Sequence, residues 1–305
     1  LFNIQDLIYI LNNGYLSLFN GDYHEKMNFL SLILPRLMFI AFMFFLAGVP
    51  EELEFKKISY IYLVVLLLSA LKGQRGEILL FILMLVWYHN TMYQKNFAKL
   101  NFKYIALIPI VFISFSQFLL AFRSNVDVEP NNFLYEFFRI NGISINIPAY
   151  LIEFNESMSS GGVPYFFAPI VDYFYRVFID RDIFYQGPSV DLLDASNSLS
   201  HHMIYFINPD AYFMGNGTGS SYLAELYDFA GIFFSGFVLF GIVFLAVKLE
   251  QKMKVSRNVL LFSPIIMMGF VYMPRGSLLK IIDDLALLTL FFLVSKVILK
   301  ATLKK

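Results

Sequence analysis

The chain contains no cysteine, which excludes disulfides and thiolate chemistry and leaves the compartment open. Charge is scarce too. Asp, Glu, Lys and Arg make up 15% of the 305 residues, against roughly a quarter in soluble domains, and this excludes an ordinary water-soluble domain. There are four histidines and no second ligand at helical spacing, so a zinc site lacks donors; no other metal and no cofactor is expected. The sequence has no internal repeat and no low-complexity linker. Its formal net charge of zero says nothing about partners, and no nucleic-acid partner is expected. It starts at Leu1 with neither initiator Met nor signal peptide, so a further N-terminal portion is expected.

What is abundant is apolar: 58% hydrophobic and 18% aromatic residues. These come in blocks of about 15 to 20 rather than in strand alternation, which favours spanning helices over a β-barrel. The expected fold class is all-α, a polytopic helical membrane protein. Residues 1–28 are too short and too polar to span, and read as an interfacial or loop segment. Spans are expected at 29–49, 58–71, 78–93, 104–122, 229–247, 258–273 and 281–299. The chain thus divides into 1–122 (interfacial segment and four spans), a loop domain at 123–228, and 229–305 (three spans and a tail).

Lys and Arg in short connections stay on the cytoplasmic side. Lys56 and Lys57; Lys95, Lys99 and Lys103; Lys248, Lys252, Lys254 and Arg257; and Lys296, Lys300, Lys304 and Lys305 fall on alternate connections, all on one side. The long loop and the two Arg-Gly turns, Arg75-Gly76 and Arg275-Gly276, then face outward, which for a bacterial inner membrane is the periplasm. The two cation types sort differently. Twelve of fifteen Lys lie inside, whereas seven of eight Arg lie on or near the outer side. Topology alone does not separate Lys from Arg, but a planar guanidinium fork suits bidentate binding of phosphate or carboxylate.

Several constellations follow, each with a plainer alternative. Arg75 and Arg275 stand in tight reversals at the membrane surface, where they would flank a lipid-linked diphosphate or else snorkel to headgroups. Gly217 and Gly219 lie in a glycine run leading into a helix at about 222, a backbone geometry that binds anions but that also simply starts helices; Ser220 or Ser221 can cap it. Glu225 and Asp228, three apart on one helical face, are candidate acids, bases or sugar-hydroxyl acceptors, or solvated first-turn carboxylates. His201 and His202 are the loop's only histidines, and adjacent helical residues point about 100° apart, so at most one acts as a base. The loop's aromatic residues offer faces to sugars or anchor a helix in the headgroup layer. Its acidic residues outnumber its four arginines, so ion pairs are expected to occupy some of Arg139, Arg176 and Arg181. Lys280, Asp283 and Asp284 enter the last span as a local ion pair or as part of a site.

The span-turn-span around Gly73-Gln74-Arg75-Gly76-Glu77, the large outer loop, the run from Gly217 to Tyr227 and the closing Pro274-Arg275-Gly276 together resemble the Wzy-type polymerases of O-antigen and oligosaccharide repeat units. The resemblance covers most of 29–299. It implies a periplasmic-face glycosyltransferase of the inner membrane that moves a growing glycan from undecaprenyl diphosphate onto a hydroxyl of the next lipid-linked repeat unit, with no nucleotide sugar. Its partners would be undecaprenyl-diphosphate-linked glycans, membrane lipids and a chain-length regulator protein. On this reading Arg75 and Arg275 hold the diphosphate, Arg123 and Arg36 support them, and one of His201, Glu225 or Asp228 assists the acceptor hydroxyl. The alternatives are an O-antigen ligase, which uses the same donor, and a flippase or transporter, which would call for short loops, paired repeats and mid-membrane polar groups.

Overall fold

A computed structural model of the protein describes residues 8–10, 12–13, 29–71, 75–93, 114, 133–154, 158, 162–180, 182–184 and 187–302. Among these residues all regular structure is helical. Three long helices open the chain: α1 (Phe29–Ala47), α2 (Glu52–Leu71) and α3 (Arg75–Tyr93). The loop domain contributes α4 (Phe133–Phe154), α5 (Ala168–Phe178), α6 (Val190–Ala195), α7 (Leu199–Ile207) and α8 (Pro209–Phe213). The chain closes with α9 (Tyr222–Met253), α10 (Arg257–Tyr272) and α11 (Ile282–Thr302).

Helices therefore stand at six of the seven expected spans, and the fourth, 104–122, lies outside the described residues apart from 114. Among the described residues two helical stretches are long and apolar enough to cross a membrane, Tyr222–Met253 and Arg257–Arg275; Leu34–Ala47 is apolar but shorter. The boundaries differ from expectation where polar residues suit a helix end. Glu52 and Glu54 sit in the first turn of α2, where the positive end of the helix dipole favours them, and Glu52 pairs with Lys56 one turn on. Arg75 and Gly76 are the first residues of α3 rather than a turn before it.

Two separate cores order the molecule. The first joins α1, α2, α3, α10 and α11 through Phe42, Met43, Leu46, Phe81, Tyr88, Leu261 and Leu288 among others. The buried Tyr88 hydroxyl donates to the Leu46 carbonyl at 2.7 Å, so even its polar atom is satisfied. Arg257 at the start of α10 donates to the carbonyl of Ala47 at the end of α1, making these helices antiparallel neighbours. The second core belongs to the loop domain: Ile147, Leu151, Met158, Tyr165, Leu199, Met203 and Ala224.

Ala224 is part of α9, and its place in the second core has a backbone cause. Gly231 interrupts α9 with φ 65° and ψ 178°, a conformation essentially reserved for glycine. Residues 222–230 form a short arm packed with the loop domain, and the apolar remainder, with Phe233, Phe234, Phe237, Phe240 and Phe244 exposed, has the surface of a helix solvated by hydrocarbon. The kink separates the packed arm from the long exposed apolar stretch.

The loop domain rests on the ends of α10 and α11. Arg176 of α5 pairs with Asp283 in the first turn of α11, and its guanidinium also lies 5.8 Å from the Tyr173 ring centroid. The expectation that ion pairs occupy some loop arginines holds for Arg176; Arg181 and the side chain of Arg139 lie outside the described residues.

Gly231→Ala should destabilise the purified protein by about 1–3 kcal/mol. Nothing lies within 4 Å of the position a Cβ would take at Gly231, so the effect is one of backbone conformation. Gly236→Ala, on the same helix and equally open, should be neutral or slightly stabilising. Thermal unfolding of both variants in detergent checks this, and equal midpoints would contradict the kink's role.

Candidate functional site

The site is built where the short arm of α9 meets the turn after α10. That turn is a tight helical turn over Met273–Arg275, then extended Gly276, then a second over Leu278–Ile281. Gly276 is required by packing, because an added Cβ would lie 2.1 Å from the Tyr272 ring. Lys280 covers that ring, 5.0 Å from its centroid.

Against this turn lies the end of the glycine run. Gly219, at φ 76°, brings its Cβ position to 3.5 Å from the Arg275 carbonyl, so this face of Gly219 meets an oxygen acceptor. Thr218 turns its hydroxyl back onto the Gly219 carbonyl. Ser221 is the residue preceding the helix, but its side chain makes no capping bond. Ser220 does not cap either; its hydroxyl donates to Glu225 Oε1 at 2.6 Å. The expected serine cap is thus replaced by a serine–carboxylate pair.

Glu225 is 2% exposed. Burial pushes its carboxyl up to about 7, with nearby Asp228 adding to the rise and Ser220 and Ser277 opposing it. The Ser277 hydroxyl acts as a nearby dipole rather than a formed bond, since neither it nor Glu225 Oε2 has a well-aligned hydrogen-bond partner. The carboxyl is therefore held on one oxygen and buried without a partner on the other among the described residues, and at neutral pH it is poised between its two protonation states. Asp228, one turn on, accepts the Tyr165 backbone N–H at 2.8 Å, which satisfies the start of the helical turn at Tyr165–Phe167 and ties the arm to the loop domain. Burial raises its carboxyl as well.

The two histidines have different fates. His202 Nε2 faces the Leu193 carbonyl at 3.1 Å and Nδ1 faces the Tyr165 hydroxyl at 3.1 Å. A carbonyl only accepts, so Nε2 carries a proton and donates to it, while Nδ1 is paired with the Tyr165 hydroxyl. His201 points instead into a cavity of about 220 Å³, edge-on to Tyr212. Burial, aided by His202, lowers its imidazole to about 4, which leaves it neutral and a weak base at neutral pH. Asp172 positions this region by accepting from the Ser196 hydroxyl at 2.7 Å and the Asn197 N–H at 2.8 Å.

The remaining candidates are scattered or not described. Gly217 lines the cavity rather than the Arg275 turn. Arg36, exposed on α1, acts electrostatically on Asp284 together with Lys280. Arg75 heads α3, but its side chain is outside the described residues, as is all of Arg123. Among the described residues no cluster of His, Cys, Asp or Glu could hold a metal ion. The structure therefore brings the Arg275 backbone carbonyl, Gly219, Glu225 and Asp228 into one region, and adds Ser220 and Ser277. Their signal in the sequence was faint: both serines follow glycines, at Gly219-Ser220 and Gly276-Ser277, where turn formation explains them equally well.

A family model, O-antigen polysaccharide polymerase Wzy, matches residues 1–305. The chain belongs to the Wzy family. No curated protein and no solved structure matches it. Wzy membership supports O-antigen polymerase activity and a membrane location, and Wzy proteins act on lipid-linked O-antigen repeat units.

The two buried groups of this Wzy chain should titrate with opposite signs. Glu225 has a folded pKa above its unfolded value, so its favourable contribution is complete below about 4.5 and is lost as pH rises through about 7. His201 has a folded pKa below its unfolded value, so stability is lost as pH falls from about 6.5 towards 4. Each effect is on the order of 3 kcal/mol. Thermal midpoints from pH 4 to 8 should show Glu225→Gln flattening the neutral side and His201→Gln the acid side, and superimposable wild-type and variant profiles would contradict this.

Proposed function

We propose that the protein is a glycosyltransferase of the bacterial inner membrane, working at the periplasmic face, that polymerises undecaprenyl-diphosphate-linked repeat units. The observation that carries this reading is the meeting of the Arg275 turn with Gly219, Ser220 and the buried Glu225 at the end of the bundle where the loop domain sits. A cationic turn at the membrane surface and a carboxyl poised near neutrality are the two groups that transfer from a lipid diphosphate requires. The acidic leaving group needs its developing charge neutralised, and the acceptor hydroxyl needs somewhere to send its proton.

In this reading Arg275 and Arg75 bind the diphosphate, with Arg123 and Arg36 in support and the Gly217–Gly219 backbone beside them. The acceptor oxygen attacks the anomeric carbon of the donor glycan. The new C–O bond forms, the bond to the diphosphate oxygen breaks, and the diphosphate leaves with the electron pair. Glu225 takes the hydroxyl proton, and Asp228 holds the arm that presents it. His201, with its lowered basicity, fits substrate binding better than proton removal. No cofactor or nucleotide sugar enters the scheme. Membrane lipids surround the spans, and a chain-length regulator protein is the expected protein partner.

Arg275→Ala and Arg75→Ala should each abolish long-chain product while single repeat units still reach lipid A. By analogy with lost oxyanion donors, the rate should fall about 10²–10³-fold. Normal chain-length ladders on gels from both variants would sink the assignment. A deletion strain that loses all attached O antigen, instead of keeping single units, would point to a ligase.

Glu225→Gln should lower the rate about 10²–10⁴-fold. The wild-type rate should rise with pH through about 7, the value to which burial brings this carboxyl. A flat wild-type profile between pH 5.5 and 8 would remove Glu225 from the proton-transfer role.

A further inference from the structure

The cavity beside His201 is not needed to hold a lipid diphosphate, and its lining says what it would take. Its wall carries the partly exposed Phe184 ring and the apolar side chains of Leu192 and Ile204, with the buried Tyr212 behind them. Among the described residues that line it none is charged, which disfavours a phosphate or a carboxylate sugar. Polar groups are present, and they are the uncommitted ones. The Tyr212 hydroxyl is spent on the Ser189 carbonyl at 3.0 Å, and His202 is held by Tyr165 and Leu193. The side chains of Ser200, His201 and Asn216 line the cavity with no hydrogen bond to any described residue.

Aromatic faces with a few convergent neutral donors and acceptors recognise a neutral sugar, whose ring has an apolar face and a hydroxyl rim. Size points the same way. At about 220 Å³ the cavity falls below the roughly 300 Å³ at which pockets for drug-sized ligands begin, yet exceeds the ~30 Å³ of one water several-fold. It accommodates one ring rather than a whole repeat unit.

Its position connects it to the reacting group. Gly217 lines the cavity and has its Cβ position 3.4 Å from the Ser200 hydroxyl. Three residues further along is Ser220, bonded to Glu225. Three residues of extended chain span at most about 10 Å, so the cavity and the carboxyl are neighbouring sites on one short piece of chain. We propose that this cavity, with Ser200, His201 and Asn216 as its hydrogen-bonding groups and Phe184 as its aromatic wall, is a subsite for one neutral sugar ring of the acceptor repeat unit. The acceptor role rests on the polymerase reading above.

The test uses the full chain in lipid nanodiscs and, as probe, the oligosaccharide released by mild acid from lipid-linked single repeat units. Saturation-transfer NMR should show transfer to the protons of one sugar of the probe. Asn216→Ala and Ile204→Phe should reduce it at least 5-fold, and Arg275→Ala should leave it unchanged. In extension assays the same two cavity variants should raise the acceptor KM about 10-fold with kcat within 2-fold. Ile204→Phe fills the cavity and risks misfolding, so Asn216→Ala, at an exposed position, decides if the two differ. Undiminished transfer in Asn216→Ala, or a wild type that polymerises without saturating the probe, overturns the subsite and leaves the polymerase reading standing. A wild type that saturates the probe but never extends lipid-linked units overturns the acceptor role through failure of the polymerase reading.

Discussion

The constraint on which the rest depends is the burial of a single carboxyl. Glu225 is almost wholly removed from solvent, in a place where an unpaired anion is costly, and among the described residues only Ser220 bonds to it directly. Every nearby backbone feature serves that placement. The positive φ of Gly219 lets the chain pass against the Arg275 carbonyl. Asp228 ties the arm to Tyr165, and the Gly231 kink lets that arm leave the line of the span. Were α9 a straight helix, its first turns would follow the span instead of packing with the loop domain's core.

Two cores meet in this arrangement. The bundle core fixes α10, and hence the turn that carries Arg275 and Ser277. The loop core fixes α7 and the arm. The Arg176–Asp283 pair joins the two layers; each partner is about a quarter exposed, so its worth lies in positioning more than in raw stability. A site assembled across such a joint takes the Arg275 turn from the end of α10 and the Glu225 arm from α9.

Much of the helical layout was legible in the sequence, because apolar blocks of spanning length leave the backbone little choice but helix. The two Arg-Gly dipeptides and the glycine run stood out in the sequence, and the structure sets the Arg275 backbone carbonyl against Gly219. The kink was not legible: Gly231 sits in an unbroken apolar stretch with Gly236 and Gly241, and nothing local distinguishes the one with positive φ. Nor was the Arg176–Asp283 pair, whose partners are 107 residues apart. The fates of His201 and His202 were set by rotation about α7, so the sequence limited the pair to one active member without saying which. Ser220 read as a cap because capping is the common use of serine before a helix; its service to Glu225 depends on the turn that buries the carboxyl, which is a tertiary fact.

The central claim is that a passive membrane enzyme joins glycans and releases undecaprenyl diphosphate, and reconstitution tests it most directly. Purified protein in liposomes would be given undecaprenyl-diphosphate-linked repeat units, with no nucleotide, metal addition or ion gradient. The account predicts a ladder of lengthening lipid-linked glycans with one undecaprenyl diphosphate released for each new linkage. Movement of the lipid-linked unit across the bilayer without any lengthening would contradict it.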